Sequence, residues 1–287
     1  MSESRARKKR KKQFLQEHRF CYFCGGTRPA TTVDHVPPRA CFPDGFAPDG
    51  FESPACNDCN QGTDKQDQIF GLYTMMVDFD PTKFTSEDDR KKISKLIGGI
   101  RNNYPEALPD LTKALPINRY GSIITPAPVA LSIKMTPSVQ EVIDISGRKL
   151  MHALYYRETG RFLTESHQFF NGAYQPQQAE TEDLTKLLAS LLPTRVTGTR
   201  PNIKEYGDRF RYMFGYKDQE DFFLYAAQFG HGMVLWGIAC RAVDKPTEYK
   251  LSEAPWKAGG SGPSLQAVNP TKTLEGREVI RGMAQLA

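Results

Sequence analysis

The sequence predicts an α+β protein in which a small cysteine-rich segment precedes a larger domain of mixed helices and strands. Two Cys-x-x-Cys pairs lie near the start of the chain, which indicates a compact metal-bound unit. Beyond them, apolar residues recur at helical spacing in some stretches and form strand-like runs in others. With 287 residues, 39% of them hydrophobic and 25% charged, the chain can form a core without disulfide bonds.

Composition divides the chain into four segments. We predict a basic disordered tail at 1–12, a cysteine segment at 13–80, a companion α+β domain of unknown role at 85–255 and a flexible Gly/Ser-rich tail at 256–287. The basic tail carries seven Lys/Arg and one Glu, and repulsion between like charges favours disorder. It is either a solubilising tail or a non-specific contact with phosphate. Its candidate contacts are Lys8, Lys9, Arg10, Lys11 and Lys12.

Hydrophobic periodicity predicts the main elements. Apolar stripes predict helices at 67–78 and 181–192, the stretch 139–158 predicts one long or two shorter helices, and strands are predicted within 121–135 and over 209–216. The run 222–240 has no formal charge and nearly the length of a membrane span. Because glycines interrupt it at its centre, we predict a hairpin that turns at 230–232 and no membrane insertion.

Several charged residues and histidines of the companion domain are expected to have no role in catalysis or binding. We expect a solvated helix face to carry Arg148, Lys149, Arg157 and Arg161. Three histidines are expected in the core or on the surface without a chemical role: His152, His167 and His231.

The four paired cysteines predict a structural zinc site. Cys21, Cys24, Cys56 and Cys59 supply four thiolates on two turns, which suits tetrahedral Zn(II). The 31 residues between the pairs exceed the ~15–20 of a zinc ribbon, so the insert must form structure of its own. The charged N-terminus lacks an apolar stretch, and we therefore expect a reducing, cytoplasmic location.

A closed four-thiolate site has no open coordination position for catalysis. Any catalytic group must therefore come from the residues that the site holds in place. The insert contains Asp34-His35, and Asn60 follows the last cysteine. Carboxylate and amide oxygens suit a hard cation such as Mg(II) or Mn(II). Adjacent residues of a strand point to opposite faces, so His35 can act as a general base across from Asp34.

The stretch "CYFC…TTVDHVPP…PACNDCNQGTDKQD" resembles the zinc-bearing HNH endonucleases, or ββα-metal (His-Me finger) nucleases, over about residues 20–70. The resemblance implies a hairpin and a helix around one divalent ion. By resemblance His35 is the general base, and Asp34 and Asn60 are ligands of a catalytic Mg(II) or Mn(II). Phe51 stands where many members have a middle Asn, and Glu52 or Ser53 are the candidates to replace it.

Two further residues match positions that can face phosphate. Lys65 lies in the "KxD" that follows Asn60, and Arg39 follows the Asp-His pair. For each, an ordinary solvated side chain is the alternative.

The expected function is metal-dependent hydrolysis of phosphodiester bonds in nucleic acid, with DNA favoured. The stretch "ALYYRETG" resembles segments downstream of HNH modules in bacterial defence or mobile-element proteins. Residues 13–75 hold four Lys/Arg and eight Asp/Glu, so attraction to a nucleic-acid backbone must come from the basic tail, from the lysines of "RKKISK" at 90–95, or through a protein partner. The alternative is a non-catalytic zinc module that binds nucleic acid or a protein.

Overall fold

A computed structural model of the chain describes residues 3–42, 45, 47, 50–77, 87–110, 115–118, 129–132, 136–174, 196–198, 209–218, 221–230, 232–241 and 257–258. The fold is mixed α+β. The helices are α1 (Glu3–Glu17), α2 (Asn57–Gln61), α3 (Asp64–Val77), α4 (Glu87–Asn103) and α5 (Pro137–Thr159), with short 3-10 turns at Arg39–Cys41 and Pro105–Ala107. Three of the predictions lie outside these residues: the helix at 181–192, His231, and the tail beyond residue 258.

The strands form three antiparallel sheets in the part of the chain that the structure describes. β1 (Thr32–His35) pairs with β2 (Glu52–Ala55), and β3 (Leu115–Asn118) pairs with β4 (Val129–Ser132). The remaining strands are β5 (His167–Tyr174), β6 (Val196–Gly198), β7 (Phe210–Lys217), β8 (Phe222–Phe229), β9 (Met233–Arg241) and β10 (Lys257–Ala258). They form one sheet in the order β10-β5-β9-β8-β7-β6. The predicted hairpin is confirmed as β8 and β9.

Helix α5 begins at a cap and ends at a glycine. The side chain of Thr136 accepts a hydrogen bond from the Val139 amide, and Gly160 closes the helix in the left-handed conformation. The predicted helix at 139–158 is confirmed as one long helix. The close approach of α5 to strand β5 requires Gly147, because a Cβ there would lie 2.5 Å from the side-chain nitrogen of Asn171.

One apolar core joins the cysteine segment to the companion part of the chain. Phe51 contacts the rings of Phe210 and Tyr212 in β7, and Phe70 of α3 contacts Phe229 of β8. Helix α3 also packs against α5 and α4. Burial of these rings removes apolar area from water on both sides, so each part stabilises the other.

The basic tail differs from its prediction, because Glu3–Glu17 form helix α1. The segment contains no Gly, Pro or β-branched residue, so its intrinsic helix propensity is high. Its C-terminal end is anchored: Phe14 contacts the His18 ring, and Nδ1 of His18 hydrogen-bonds the Tyr156 hydroxyl at 2.8 Å. Propensity and this anchor together offset the repulsion between the cations.

No helix among the described residues has the length and apolar character needed to cross a lipid bilayer.

Candidate metal and catalytic site

The four predicted zinc ligands lie together. Their sulfur atoms are all within 4.8 Å of one another, and all four residues are buried: Cys21, Cys24, Cys56 and Cys59. Tetrahedral Zn(II) with Zn–S of about 2.3 Å places sulfurs about 3.8 Å apart, so the cluster fits a metal ion such as zinc. Cys41 and Cys240 are also buried, outside this cluster.

Turns and strand contacts hold the two cysteine pairs. Gly25 and Gly26 both have positive φ and reverse the chain directly after Cys24. The amide of Cys21 donates to the carbonyl of Arg28, and the amide of Tyr22 donates to the carbonyl of Pro54 beside Cys56. The first pair is therefore attached to the strand that carries the second.

Two arginines lie near the thiolates. Arg28 donates to the sulfur of Cys59 at 3.8 Å and pairs with Asp58. Arg148 of α5 is 1% exposed, lies against the rings of Phe23 and Phe169, and interacts electrostatically with Cys59. A zinc ion with four thiolates carries a net charge of −2, which two guanidinium groups balance. Burial lowers the pKa of Arg148 to about 10, which still leaves it cationic at neutral pH.

Asp34 and His35 lie in β1 and point to opposite faces of the strand, as alternation requires. Asp34 is 4% exposed, and its Oδ2 accepts hydrogen bonds from Tyr22 at 2.9 Å and Lys149 at 3.0 Å. Among the described residues, no hydrogen bond is made to its Oδ1. One oxygen of this carboxylate, Oδ2, is therefore occupied by contacts with the protein.

His35 is half-buried and receives a hydrogen bond from Arg39 at 2.8 Å on Nε2. Arginine can only donate, so Nε2 presents a lone pair at this contact. The 3-10 turn that carries Arg39 packs closely on α3, where a Cβ at Gly71 would lie 2.5 Å from that of Ala40. The structure thus places the predicted base beside the predicted phosphate contact, Arg39.

Asn60 lies in α2 on the side of β1 that Thr32 and Asp34 share. Its Nδ2 donates to the Thr32 hydroxyl at 3.4 Å, which leaves the amide oxygen directed elsewhere. The oxygens of Asp34 and Asn60 form a donor set that suits a hard divalent cation. Against that fit, the Lys149 ammonium already lies beside Asp34.

The remaining predicted contacts are exposed. Lys65 lies in α3, pairs with Glu106 at 2.9 Å and lies over the ring of Tyr104. Exposed positions of α1 hold Lys8, Lys9, Arg10, Lys11 and Lys12. These cations lie on the surface, where phosphate can reach them.

The expectation of a solvated face for α5 is wrong for two residues. Arg148 and Lys149 are each 1% exposed, because helix α5 lies between the cysteine segment and the sheet. One signal in the sequence could have found them: both cations lie between apolar residues of the helix, with Ile143 and Ile145 before them and Leu150 and Met151 after them. Tyr22 has no predicted role, and Asp67 is predicted only as the last residue of the "KxD"; Tyr22 bonds to Asp34, and Asp67 pairs with Lys149.

Arg157 and Phe51 hold the end of the loop where the middle Asn is missing. Phe51 is buried and lies under the Arg157 guanidinium, 4.4 Å from ring centroid to Cζ. Arg157 also donates to the Gly50 carbonyl, and the Phe51 carbonyl accepts from the Val36 amide at 3.0 Å. Of the two candidates, Glu52 accepts from the Gly50 amide, and Ser53 lies opposite Asp34 in the hairpin.

A second polar cluster fastens α5 to the turn between β7 and β8. Asp221 accepts hydrogen bonds from Tyr155 at 2.5 Å, from Tyr216 at 3.1 Å and from Nε2 of His167 at 2.9 Å. The Thr164 amide donates to Nδ1 of His167, so Nε2 carries the proton. Burial opposes ionisation of Asp221, but the three donors hold its pKa below the usual value.

Comparison with known proteins found no matching family model, no similar curated protein and no similar solved structure.

Proposed function

We propose that the protein is a metal-dependent endonuclease of the HNH type that hydrolyses phosphodiester bonds, with DNA as the favoured substrate. The observation that carries the proposal is the arrangement around β1. Asp34 and Asn60 lie on one side with oxygens free of hydrogen bonds among the described residues, and His35 lies on the other with a lone pair on Nε2. The four-cysteine cluster holds the strand and helix that carry them.

In this proposal each residue has a separate task. His35 takes a proton from the attacking water on its imidazole nitrogen, which requires Arg39 to exchange its contact from Nε2 to the phosphate. Asp34 and Asn60 would hold a divalent ion, which supplies Lewis-acid stabilisation of the charge that develops on phosphate. Arg157 and Phe51 fix the loop between β1 and β2 in place of the family's middle Asn. The expected products carry 5′-phosphate and 3′-hydroxyl ends.

The test is cleavage of supercoiled plasmid with Mn(II) or Mg(II). His35→Ala should abolish cutting without changing the zinc content, and added imidazole should restore part of the rate because it replaces the missing base. The matched control is Lys91→Met, which removes an exposed cation that pairs with Glu87 on α4, and this variant should cut normally. Equal cutting by wild type and His35→Ala would refute the role of His35.

The second candidate is a zinc module that binds nucleic acid or a protein without cleaving. One observation favours it: the Lys149 ammonium already neutralises Asp34, the predicted metal ligand. This candidate predicts binding of nucleic acid or protein without metal-dependent cleavage. It also predicts that His35→Ala leaves this binding unchanged.

A further inference from the structure

A buried lysine from the companion part of the chain reaches into the proposed site. Lys149 of α5 is 1% exposed. Its ammonium contacts Oδ2 of Asp34 at 3.0 Å, Oδ2 of Asp67 at 2.6 Å and the Thr63 hydroxyl at 3.1 Å. An ammonium has three N–H donors, and all three have an acceptor here. The lysine is therefore held in one position.

Lys149 contacts one proposed ligand of the divalent ion directly and is linked to the backbone of the other through Thr63. The direct contact is with Asp34. The linked residue is Asn60, whose carbonyl bonds to the Thr63 hydroxyl at 3.1 Å. Strand β1 and the end of α2 therefore share one anchor on α5.

The contacts on Asp34 also determine which oxygen remains available. Oδ2 accepts from both Lys149 and Tyr22, which fixes the plane of the carboxylate. Burial and the nearby Asp34 charge raise the pKa of Tyr22, so its hydroxyl remains a donor. Oδ1 is left without a hydrogen bond among the described residues, on a carboxylate that cannot rotate freely.

Asp67 keeps the lysine in place. Burial raises the pKa of Asp67 to about 6, although Lys149 opposes that rise. Burial would also lower the pKa of Lys149, but Asp34 and Asp67 more than offset this and raise it. A buried ammonium between two carboxylates has no solvent to move into, so the geometry of the three groups is rigid.

We infer that Lys149 is a positioning residue of the nuclease site: it holds Oδ2 of Asp34 and the Thr63 end of α2 so that Oδ1 of Asp34 and the Asn60 amide face a divalent cation. The inference rests on the proposed function and assigns α5 a part in it. The alternative is that the Lys149 ammonium competes with the divalent cation for Asp34.

The test measures Mn(II) binding directly, by electron paramagnetic resonance on the full-length, zinc-loaded protein. Wild type should bind Mn(II) at a site that Asp34→Ala removes. Lys149→Met keeps the aliphatic stem and should weaken Mn(II) binding at least tenfold, the range for loss of a residue that orients a metal ligand. Lys91→Met serves as control and should bind as wild type does. Tighter binding by Lys149→Met would overturn the inference, because the ammonium would then be a competitor.

A double variant separates positioning from simple charge balance. Lys149→Met with Asp67→Asn removes one charge of each sign, so it should recover much of the thermal stability that Lys149→Met loses. It should still bind Mn(II) weakly and need more Mn(II) for half-maximal plasmid cleavage. If the double variant regains wild-type Mn(II) binding, Lys149 only balances charge and the inference is wrong.

The two proposals fail in different ways. Wild type that binds Mn(II) through Asp34 but shows no cleavage dependent on His35 contradicts the nuclease proposal and leaves the positioning test intact. Wild type that cuts normally, together with unchanged Mn(II) binding by Lys149→Met, contradicts the positioning role alone. Absence of Mn(II) binding through Asp34 contradicts both.

Discussion

At the scale of single residues, burial decides what each ionisable group does. His35 and His152 have the same side chain but different surroundings. His35 is half-buried and its Nε2 accepts from Arg39, whereas His152 is fully buried between the rings of Phe23 and Phe169. Nδ1 of His152 lies 2.9 Å from the Arg148 carbonyl, so this nitrogen carries the proton. Of these two histidines, His35 is the one to which our proposal assigns a chemical role.

His152 should make the protein sensitive to acid. Burial, together with Arg148, lowers its pKa from 6.5 to about 3. Between these values the unfolded chain binds the proton and the folded chain does not, so this contribution is present above pH 6.5 and is lost as the pH falls. Between pH 6.5 and 5 the loss should be about 2 kcal/mol. Urea unfolding of wild type and His152→Met at several pH values measures it. The two stabilities should converge on acidification, and parallel curves would contradict this assignment.

At the scale of elements, α1 changes the expected contact with nucleic acid. A disordered tail would bind phosphates without regard to the shape of the nucleic acid. Glu3–Glu17 instead form a helix about 22 Å long with exposed cations. The major groove of B-DNA admits an α-helix, whereas the deep, narrow groove of A-form RNA does not. Under the proposed nuclease function, we therefore expect a helical α1 to bind duplex DNA more tightly than duplex RNA.

Replacing four cations of α1 should weaken binding to duplex DNA. Glutamine keeps helix propensity but removes charge, so the variant changes Lys8, Lys9, Lys11 and Lys12 to Gln in a His35→Ala background that does not cut. The slope of log K against log salt should fall by about 3–4, since each phosphate contact contributes about 0.9. Fluorescence anisotropy with a labelled DNA duplex measures both affinity and slope.

Two comparisons complete the α1 experiment. The comparison variant changes the exposed residues Lys91 and Lys95 of α4, the other predicted source of attraction to the backbone, to Gln, and we expect the slope to stay unchanged because α1 is the groove-binding helix. An RNA duplex of the same sequence should bind more weakly than the DNA. Equal loss of affinity in the comparison variant, or equal binding of both duplexes, would count against α1 as a groove-binding helix.

At the scale of the whole molecule, helix α5 links the cysteine segment, which carries the proposed site, to the six-stranded sheet. It supplies Arg148 near the thiolates, Lys149 to Asp34 and Arg157 to the loop beside Phe51. On its other side, Tyr155 bonds to Asp221, and Tyr225 of β8 donates to the Gly147 carbonyl at 3.0 Å. The four-cysteine cluster and the six-stranded sheet should therefore unfold together.

Loss of one zinc ligand should destabilise the distant sheet. Trp256→Phe leaves Trp236 of β9 as the only tryptophan, so its fluorescence reports the sheet. In this background, denaturant should release zinc and change the fluorescence at the same concentration. Cys24→Ser should lose zinc and shift the fluorescence transition to lower denaturant, because structural zinc contributes to folding. Cys240→Ser, outside the cluster, should keep one zinc. A sheet transition unchanged in Cys24→Ser would show that the two parts fold independently.

The sequence by itself determined several of the elements and the cluster of four cysteines. Spacing in Cys21-x-x-Cys24 and Cys56-x-x-Cys59 requires two turns, and the helix at 67–78 and the hairpin at 222–240 follow from periodicity and glycine. These features depend on neighbours a few residues away, which the sequence displays directly.

Only the tertiary structure decided what surrounds those elements. Lys149 meets Asp67, a residue 82 positions away, and the same pairing turns a predicted solvated cation into a buried one. Helical periodicity shows which residues share a face, but it does not show which other element covers that face. A cation is buried only where folding brings acceptors to it from distant parts of the chain. The environment of Asp34 therefore follows from the packing of α5, which no local pattern encodes.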